Sequence, residues 1–222
     1  MDDWPVVPLC SKQLLDVNSR DILEGGLYRK CNVYKGGGGY DQFPAIYKKR
    51  FGRAEDPVQF VVQLKGCPLK CPYCYVTRQG VWGDAIEVST LSMLQAYDRT
   101  GLDIFHLMGG APAIYLHRWK ELASKVKVFH SDLLLVESLY RSKDLKDLPG
   151  LHAVSFKERH IYPSAWIPNI WRNLEKLIEN RVNFYITFTG SDEFSSEIIE
   201  RFGPEVLEDS FIIPVKQYKA LD

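Results

Sequence analysis

From residue 58 onward this chain alternates apolar runs with helical periods, and that alternation decides most of what it can fold into. The run at 58–64, VQFVVQL, is near-continuously apolar, as a strand covered on both faces requires. Residues 89–99 then space Leu91, Leu94 and Tyr97 by three, with Ser89 or Thr90 placed to cap a helix. Further strands are expected at 104–108, 126–130, 152–157, 184–188 and 211–215. Helices are expected at 115–125, from a cap at Ser131 or Asp132 to about 147, at 165–181 and at 193–202, although 133–136 also suits a strand. The pattern is cleanest at 165–181. There Ile167, Ile170, Trp171, Leu174, Leu177 and Ile178 follow the helical period, and Pro168 falls in the first turn, where a missing N–H costs little. Strands alternating with helices imply parallel βα units, wound in one direction by right-handed crossovers.

Directly behind the first of these strands lies GCPLKCPYCY, residues 66–75. It sets Cys67, Cys71 and Cys74 in a C-x₃-C-x₂-C spacing. Three thiolates on one short loop can hold three irons of a cubane cluster and leave the fourth iron without a protein ligand. Cubanes normally take four cysteines, so a tight set of three points to an open, reactive site. A structural zinc site needs four ligands, usually as two separated pairs; Cys10, Cys31 or one of five histidines is available as a fourth, but there is no second C-x₂-C. The C-P-Y-C at 71–74 also suggests a thiol–disulfide motif. The segment behind it, VTRQGVWGD, has no apolar helical period, so the helix N-terminus that would activate such a thiol is missing. With Lys70, two prolines and Gly66 in the run, plain core cysteines fit poorly.

A strand followed by C-x₃-C-x₂-C, with Tyr73 just before the third cysteine, resembles the radical S-adenosylmethionine (SAM) superfamily. The resemblance implies a [4Fe-4S] cluster on Cys67, Cys71 and Cys74, whose open iron chelates the amino and carboxylate groups of SAM. An electron from the cluster then cleaves SAM to a 5′-deoxyadenosyl radical, which abstracts hydrogen from a substrate. The implied fold is α/β, a partial (β/α)₆ TIM-like barrel of parallel strands over residues 58 to about 218. Chemistry in such barrels gathers at the C-terminal strand ends, where the cysteine loop falls. Gly109-Gly110-Ala111-Pro112 resembles the family's G-G-E-P motif, whose backbone receives the SAM amino group; Ala111 stands in place of the usual glutamate. Ser131 and Asp132 stand where the family often places a polar SAM contact. Ser155 and Lys157 match a D-x-K strand that supplies a ribose-binding carboxylate and a lysine for the SAM carboxylate, with serine replacing the carboxylate. Lys216 resembles a polar SAM-binding position past the sixth strand, and Tyr73 is placed to stack on adenine.

Within the superfamily, residues 51–82 look most like the small activating enzymes for glycyl-radical enzymes. Asp56-Pro57, Gly66-Cys67 and Trp82 take the places of that branch's D-G-P-G-like segment, G-C start and following tryptophan. The chain departs from the branch at Val76, where asparagine is common, and in lacking the glycines around Asp56-Pro57. The 7-carboxy-7-deazaguanine synthases, with similar length and a minimal barrel, are the second branch it resembles. Either branch implies a reductant such as flavodoxin or ferredoxin, and a peptide or small-molecule substrate. The alternative outside the superfamily is a non-catalytic zinc- or thiol-redox-binding α/β module.

Residues 1–55 read differently from the barrel domain expected over 56–222. Pro5, Pro8, Gly25-Gly26, four glycines at 36–39 and Pro44 break them up, and no period is sustained. They are expected to form an irregular extension, serving as a lid or a partner segment. The glycines are no phosphate loop, because no Gly-Lys-Ser/Thr follows. Lys48, Lys49 and Arg50 suit a solvated face better than an anion site. Lysines and arginines total 28, as do aspartates and glutamates, so no basic tail advertises nucleic acid. Five cysteines, an odd number, do not read as a secreted disulfide framework. The acidic start lacks a basic n-region, and no apolar run approaches the ~18 residues of a membrane span, so a cytoplasmic enzyme of the oxidoreductase or lyase class is expected. The histidines form neither H-x-E nor H-E-x-x-H, which argues against zinc deaminases and proteases, and His106 reads as a packed mid-strand residue.

Overall fold

The computed structural model describes residues 3–8, 22–23, 27–32, 46, 48–50, 58–74, 84–135, 142–213 and 215. Its strands are Asp3–Val6 (β1), Ile22–Leu23 (β2), Tyr28–Asn32 (β3), Val58–Gln63 (β4), Ile86–Ser89 (β5), Ile104–Met108 (β6), Val128–Leu133 (β7), Leu151–Phe156 (β8), Phe184–Thr189 (β9) and Phe211–Ile213 (β10). Its α-helices are Thr90–Thr100 (α1), Trp119–Ala123 (α2), Ser142–Leu145 (α3), Ile167–Glu179 (α4) and Ser195–Phe202 (α5). An eight-stranded sheet runs in the order β10-β9-β8-β7-β6-β4-β3-β2. The six strands from β4 to β10 in that sheet pair in parallel, as the alternation requires, while β3 and β2 extend it antiparallel at one edge. A separate antiparallel pair joins β1 to β5.

The period-2 pattern of these strands divides the core in two. Phe60, Val62, Phe105, Leu107, Phe129, Leu133, Val154, Phe156, Ile186 and Phe188 share one buried cluster with Met93 and Tyr97 of α1, Trp119 and Leu122 of α2, and Leu174 and Leu177 of α4. The alternate residues Ile104, Val128, Leu151, Ala153, Tyr185 and Phe211 form a smaller cluster with Ile46 on the opposite face, away from α1 to α5. Residues 46 and 48–50 are helical. Lys49 pairs there with Glu208 at 2.9 Å and Asp209 at 3.0 Å, and Arg50 with Asp209 at 2.6 Å, so the basic run ties this segment to the approach to β10.

Helix α1 forms where its cap signal lies. The Ser89 hydroxyl accepts from the Ser92 N–H at 3.1 Å, and Gly101 closes the helix with φ +66°. Ser89→Ala is expected to cost about 1 kcal/mol in chemical denaturation, with no change in fold.

The structure departs from the sequence expectations in three places. The first 55 residues are not irregular throughout, since they contribute β1, β2 and β3. Those strands are two to five residues long, too short to sustain an alternation. Strand β7 runs through Leu133, so Ser131 and Asp132 are strand residues rather than a helix cap, and the helix that follows among the described residues is α3. Finally, Pro112–Arg118 is 3₁₀, broken at Tyr115 (φ −103°, ψ 20°), which leaves α2 shorter than the expected helix. No helix among the described residues is long and apolar enough to cross a membrane.

Candidate active site

The cysteine loop leaves the C-terminal end of β4, and its root is tied on several sides. The Leu64 N–H donates to Met108 O at 2.9 Å, and the Ala111 N–H to Gly66 O at 2.6 Å. The Tyr115 hydroxyl donates to Lys65 O at 3.1 Å. On the other edge β1 continues past its end, with the Lys65 N–H on Pro5 O at 3.0 Å and the Val7 N–H on Gln63 O at 2.8 Å. Gly66 (φ +95°) turns the chain away from the sheet. Leu69, midway between the first two cysteines, is buried in the main core and anchors the loop there.

The Gly109-Gly110 turn is built against this root. Gly110 has φ +54°, and a Cβ there would lie 2.3 Å from Gly66 O and 2.8 Å from Leu64 O. A Cβ on Gly109 would strike the Gln63 stem at 2.1 Å. Two glycines therefore let the second strand's turn lie directly on the start of the cysteine loop.

Cys67, Cys71 and Cys74 carry thiols rather than disulfides; Cys67 and Cys71 are half-buried and Cys74 is exposed. Burial pushes the Cys71 thiol up to about 11, with Lys157 pulling the other way and Cys74 and Cys67 adding as like charges. Burial likewise raises Cys67, against a backbone hydrogen bond at Leu69 and the charge of Lys157. The three thiols thus feel one another, and the charge of Lys157, just past β8, reaches two of them. A cubane asks each thiolate to bind its own iron. Three thiols on one loop, rooted rigidly and next to a lysine, fit that demand. Among the described residues no three His, Cys, Asp or Glu side chains close around a single-ion position.

The remaining candidates divide by face and height. Lys157 lies just past β8, with its Nζ donating to Thr189 Oγ1 at 3.0 Å. Ser155, one pleat below on the same face, meets Thr187 Oγ1 at 3.2 Å. Tyr73 stands half-buried between the last two cysteines; burial raises its hydroxyl pKa, and the charges of Cys71 and Glu158 add to this. Ser131 is elsewhere. It is fully buried on the helix side, with its hydroxyl 2.9 Å from His152 Nδ1, and His152 stacks on Trp119. Its neighbour Asp132 faces the opposite side, toward His106. Lys216, Val76, Trp82, Asp56, Pro57, Cys10 and the glycines at 36–39 lie outside the described residues.

Two groups carried no sequence signal. Buried Tyr162, from a 3₁₀ turn, accepts the Lys157 N–H at 2.7 Å and lies near Cys71 and Tyr73. Thr187 and Thr189 hold Ser155 and Lys157, and only their alternation with Tyr185 along β9 hinted at this face.

Two histidines are held neutral. Burial, reinforced by His106 and His152, lowers the His130 pKa well below its ordinary value. Burial lowers His152 to about 3. An unfolded histidine takes up a proton near 6.5, so stability from such a group is complete above that pH and is lost as pH falls toward the folded value. For His152 the expected loss by pH 5 is about 2 kcal/mol, and His130 adds in the same direction. Denaturation at pH 7 and pH 5 measures it, and His152→Phe should flatten the slope.

No family model matches the sequence, and no curated protein matches it either. Solved structures resemble the fold. One, described as hexahistidine-tagged anSMEcpe with bound AdoMet, matches with TM-score 0.50 and 16% identity over 68% of this chain and 48% of that one. Another, native anSMEcpe with bound AdoMet and Kp18Cys peptide, matches with TM-score 0.49 and 16% identity over 68% and 49%. This chain therefore spans about half the length of the structures it resembles. What the first likeness establishes is the fold, a parallel α/β sheet shared with a protein solved with AdoMet bound.

Proposed function

We propose that this chain is a radical SAM enzyme, with Cys67, Cys71 and Cys74 holding a [4Fe-4S] cluster. The observation that carries this reading is the convergence of those three thiols, the Gly109-Gly110 turn and Lys157 at one end of a six-strand parallel sheet. The fold is also that of a protein solved with AdoMet bound. When bound, the cluster supplies the electron that cleaves SAM to a 5′-deoxyadenosyl radical, which removes hydrogen from a substrate.

The chain's own residues do the rest. The hydrogen-bonded root at 64–66 fixes where the thiols project. Lys157, held by Thr189, offers its ammonium to a carboxylate at the strand ends, and the positive charge also favours thiolate at Cys67 and Cys71. The Gly109-Gly110 turn lets backbone groups approach a ligand closely. Tyr73 and Tyr162 bring apolar ring surface to the loop and exclude water around it. Lys216 and a redox partner of the flavodoxin or ferredoxin type complete the reading, and the glycyl-radical activating branch remains the nearer of the two branches by the 51–82 segment.

Anaerobic reconstitution tests the donor set. The chain should take up iron and sulfide in equal amounts, about four of each. A colourless protein holding a single zinc would favour the structural-module alternative.

A further inference from the structure

The face of the sheet opposite α1 to α5 is unusually polar. Level by level it sets Gln59 beside Ile104 and Val128, His106 and His130 between Val61 and Leu151, Gln63 beside Met108, and Ser155 and Thr187 beside Phe211. Asp132, beside Ala153, adds a carboxylate. The interior of a parallel barrel is ordinarily filled by branched aliphatic side chains. So many polar groups interleaved with the apolar ones are a departure that needs a reason.

Two acceptors there are available to a ligand. Gln63 is 4% exposed, and its Oε1 has no hydrogen-bond partner among the described residues. A buried acceptor left open is costly unless a ligand completes it. Asp132 is the one carboxylate among the described strand residues of this face. His106 Nε2 stands 3.3 Å from one of its oxygens, and the side chain is still 34% exposed. His106 in turn packs on His130 with ring centroids 4.2 Å apart, and His130 is fixed by Gln59 Oε1 at 2.8 Å and Tyr185 Oη at 3.1 Å. Asp132 is thus oriented from behind and open in front. Its cross-strand partner is Ala153, the smallest described strand side chain on this face. Gln63 Oε1 and the Asp132 carboxylate are both acceptors, and one carries negative charge; the open donor of this face, Gln59 Nε2, lies deeper, at the level of Ile104.

Resting on the radical SAM reading for the chemistry that follows, we propose that this polar face, beneath the cysteine loop, is the substrate site. It takes a small molecule that presents a cationic N–H group, an amine or amidine, to Asp132 and Gln63. Asp132 anchors the charge, and His106 acts as a positioning residue behind it. Lys157, just past β8, lies one strand over and Thr189, on β9, two, both nearer the C-terminal strand ends, so the anchored group sits beneath the cofactor end of the site.

The test uses the full chain, anaerobically reconstituted and oxidised, or as purified if it takes up no cluster. Benzamidine is titrated while the ring nitrogens of His106 and His130 are followed by long-range ¹⁵N–¹H NMR. Benzoate, of the same shape and opposite charge, is the control. The expected result is a saturable shift at His106 with benzamidine alone, weakened at least about tenfold by Asp132→Asn. Should that variant fail to fold, Gln63→Leu serves, with a loss of the same sign. No saturable shift, an equal response to benzoate, or wild-type affinity in the variant that folds would overturn the site. Formation of 5′-deoxyadenosine by the wild-type chain is scored separately. Amidine binding without it would keep the site and remove the radical reading; the product without amidine binding would do the reverse.

Discussion

Cys71→Ala is expected to take SAM cleavage down to the reagent background, a fall of more than about a thousandfold, or roughly 4 kcal/mol of barrier. The fold should survive, because Cys71 is half-exposed and is only packed against the edge of the main core. What the substitution removes is one of three donors on a loop whose root is fixed by hydrogen bonds from Ala111 and Tyr115. A rigid root cannot swing a substitute donor into the vacated position. Iron content, sulfide content and 5′-deoxyadenosine yield are the readouts, with far-ultraviolet circular dichroism to show that the sheet is intact. Full cluster uptake and undiminished cleavage in Cys71→Ala would remove that cysteine from the donor set.

The second large effect is expected at Gly110→Ala. A non-glycine residue held in the left-handed region costs about 1–2 kcal/mol on its own. Here the new Cβ also meets backbone, at 2.3 Å from Gly66 O and 2.8 Å from Leu64 O, and neither can rotate away. Together these should cost about 3 kcal/mol or more in denaturation and, by pushing the turn off the loop root, also impair cluster uptake. Gly101→Ala is the matched control. Gly101 has φ +66° as well, yet nothing lies within 4 Å of its Cβ position, so only the conformational cost remains. Equal losses at the two glycines would mean that the contact with the cysteine loop contributes nothing.

Much of the fold could be read from the sequence because its signals are local. The parallel strands β4, β6, β8, β9 and β10 fall where short apolar runs stand between turn signals, and α4 falls on the 3.6-residue stripe of Ile170, Trp171, Leu174 and Leu177. The cysteine loop announced itself by spacing. What escaped depends on partners distant in sequence. Ser131 offers a helix cap by local chemistry, but its hydroxyl is satisfied across the sheet by His152, so the strand continues through it. Strand β1 contains Pro5, and its pairing with β5 is set by residues eighty or more positions away. Tyr162 is one tyrosine among 12, and only the fold brings its hydroxyl to the Lys157 N–H. The pairing of His106 with Asp132 likewise joins two strands whose sequences give no sign of each other.

The most direct test of the account is to incubate the anaerobically reconstituted chain with dithionite and SAM, and to assay 5′-deoxyadenosine by mass spectrometry alongside low-temperature electron paramagnetic resonance. A reduced cubane signal that changes on adding SAM is expected, with 5′-deoxyadenosine formed and lost again in Cys71→Ala. A chain that forms no cluster, or a cluster whose signal is indifferent to SAM and yields no 5′-deoxyadenosine, would contradict it.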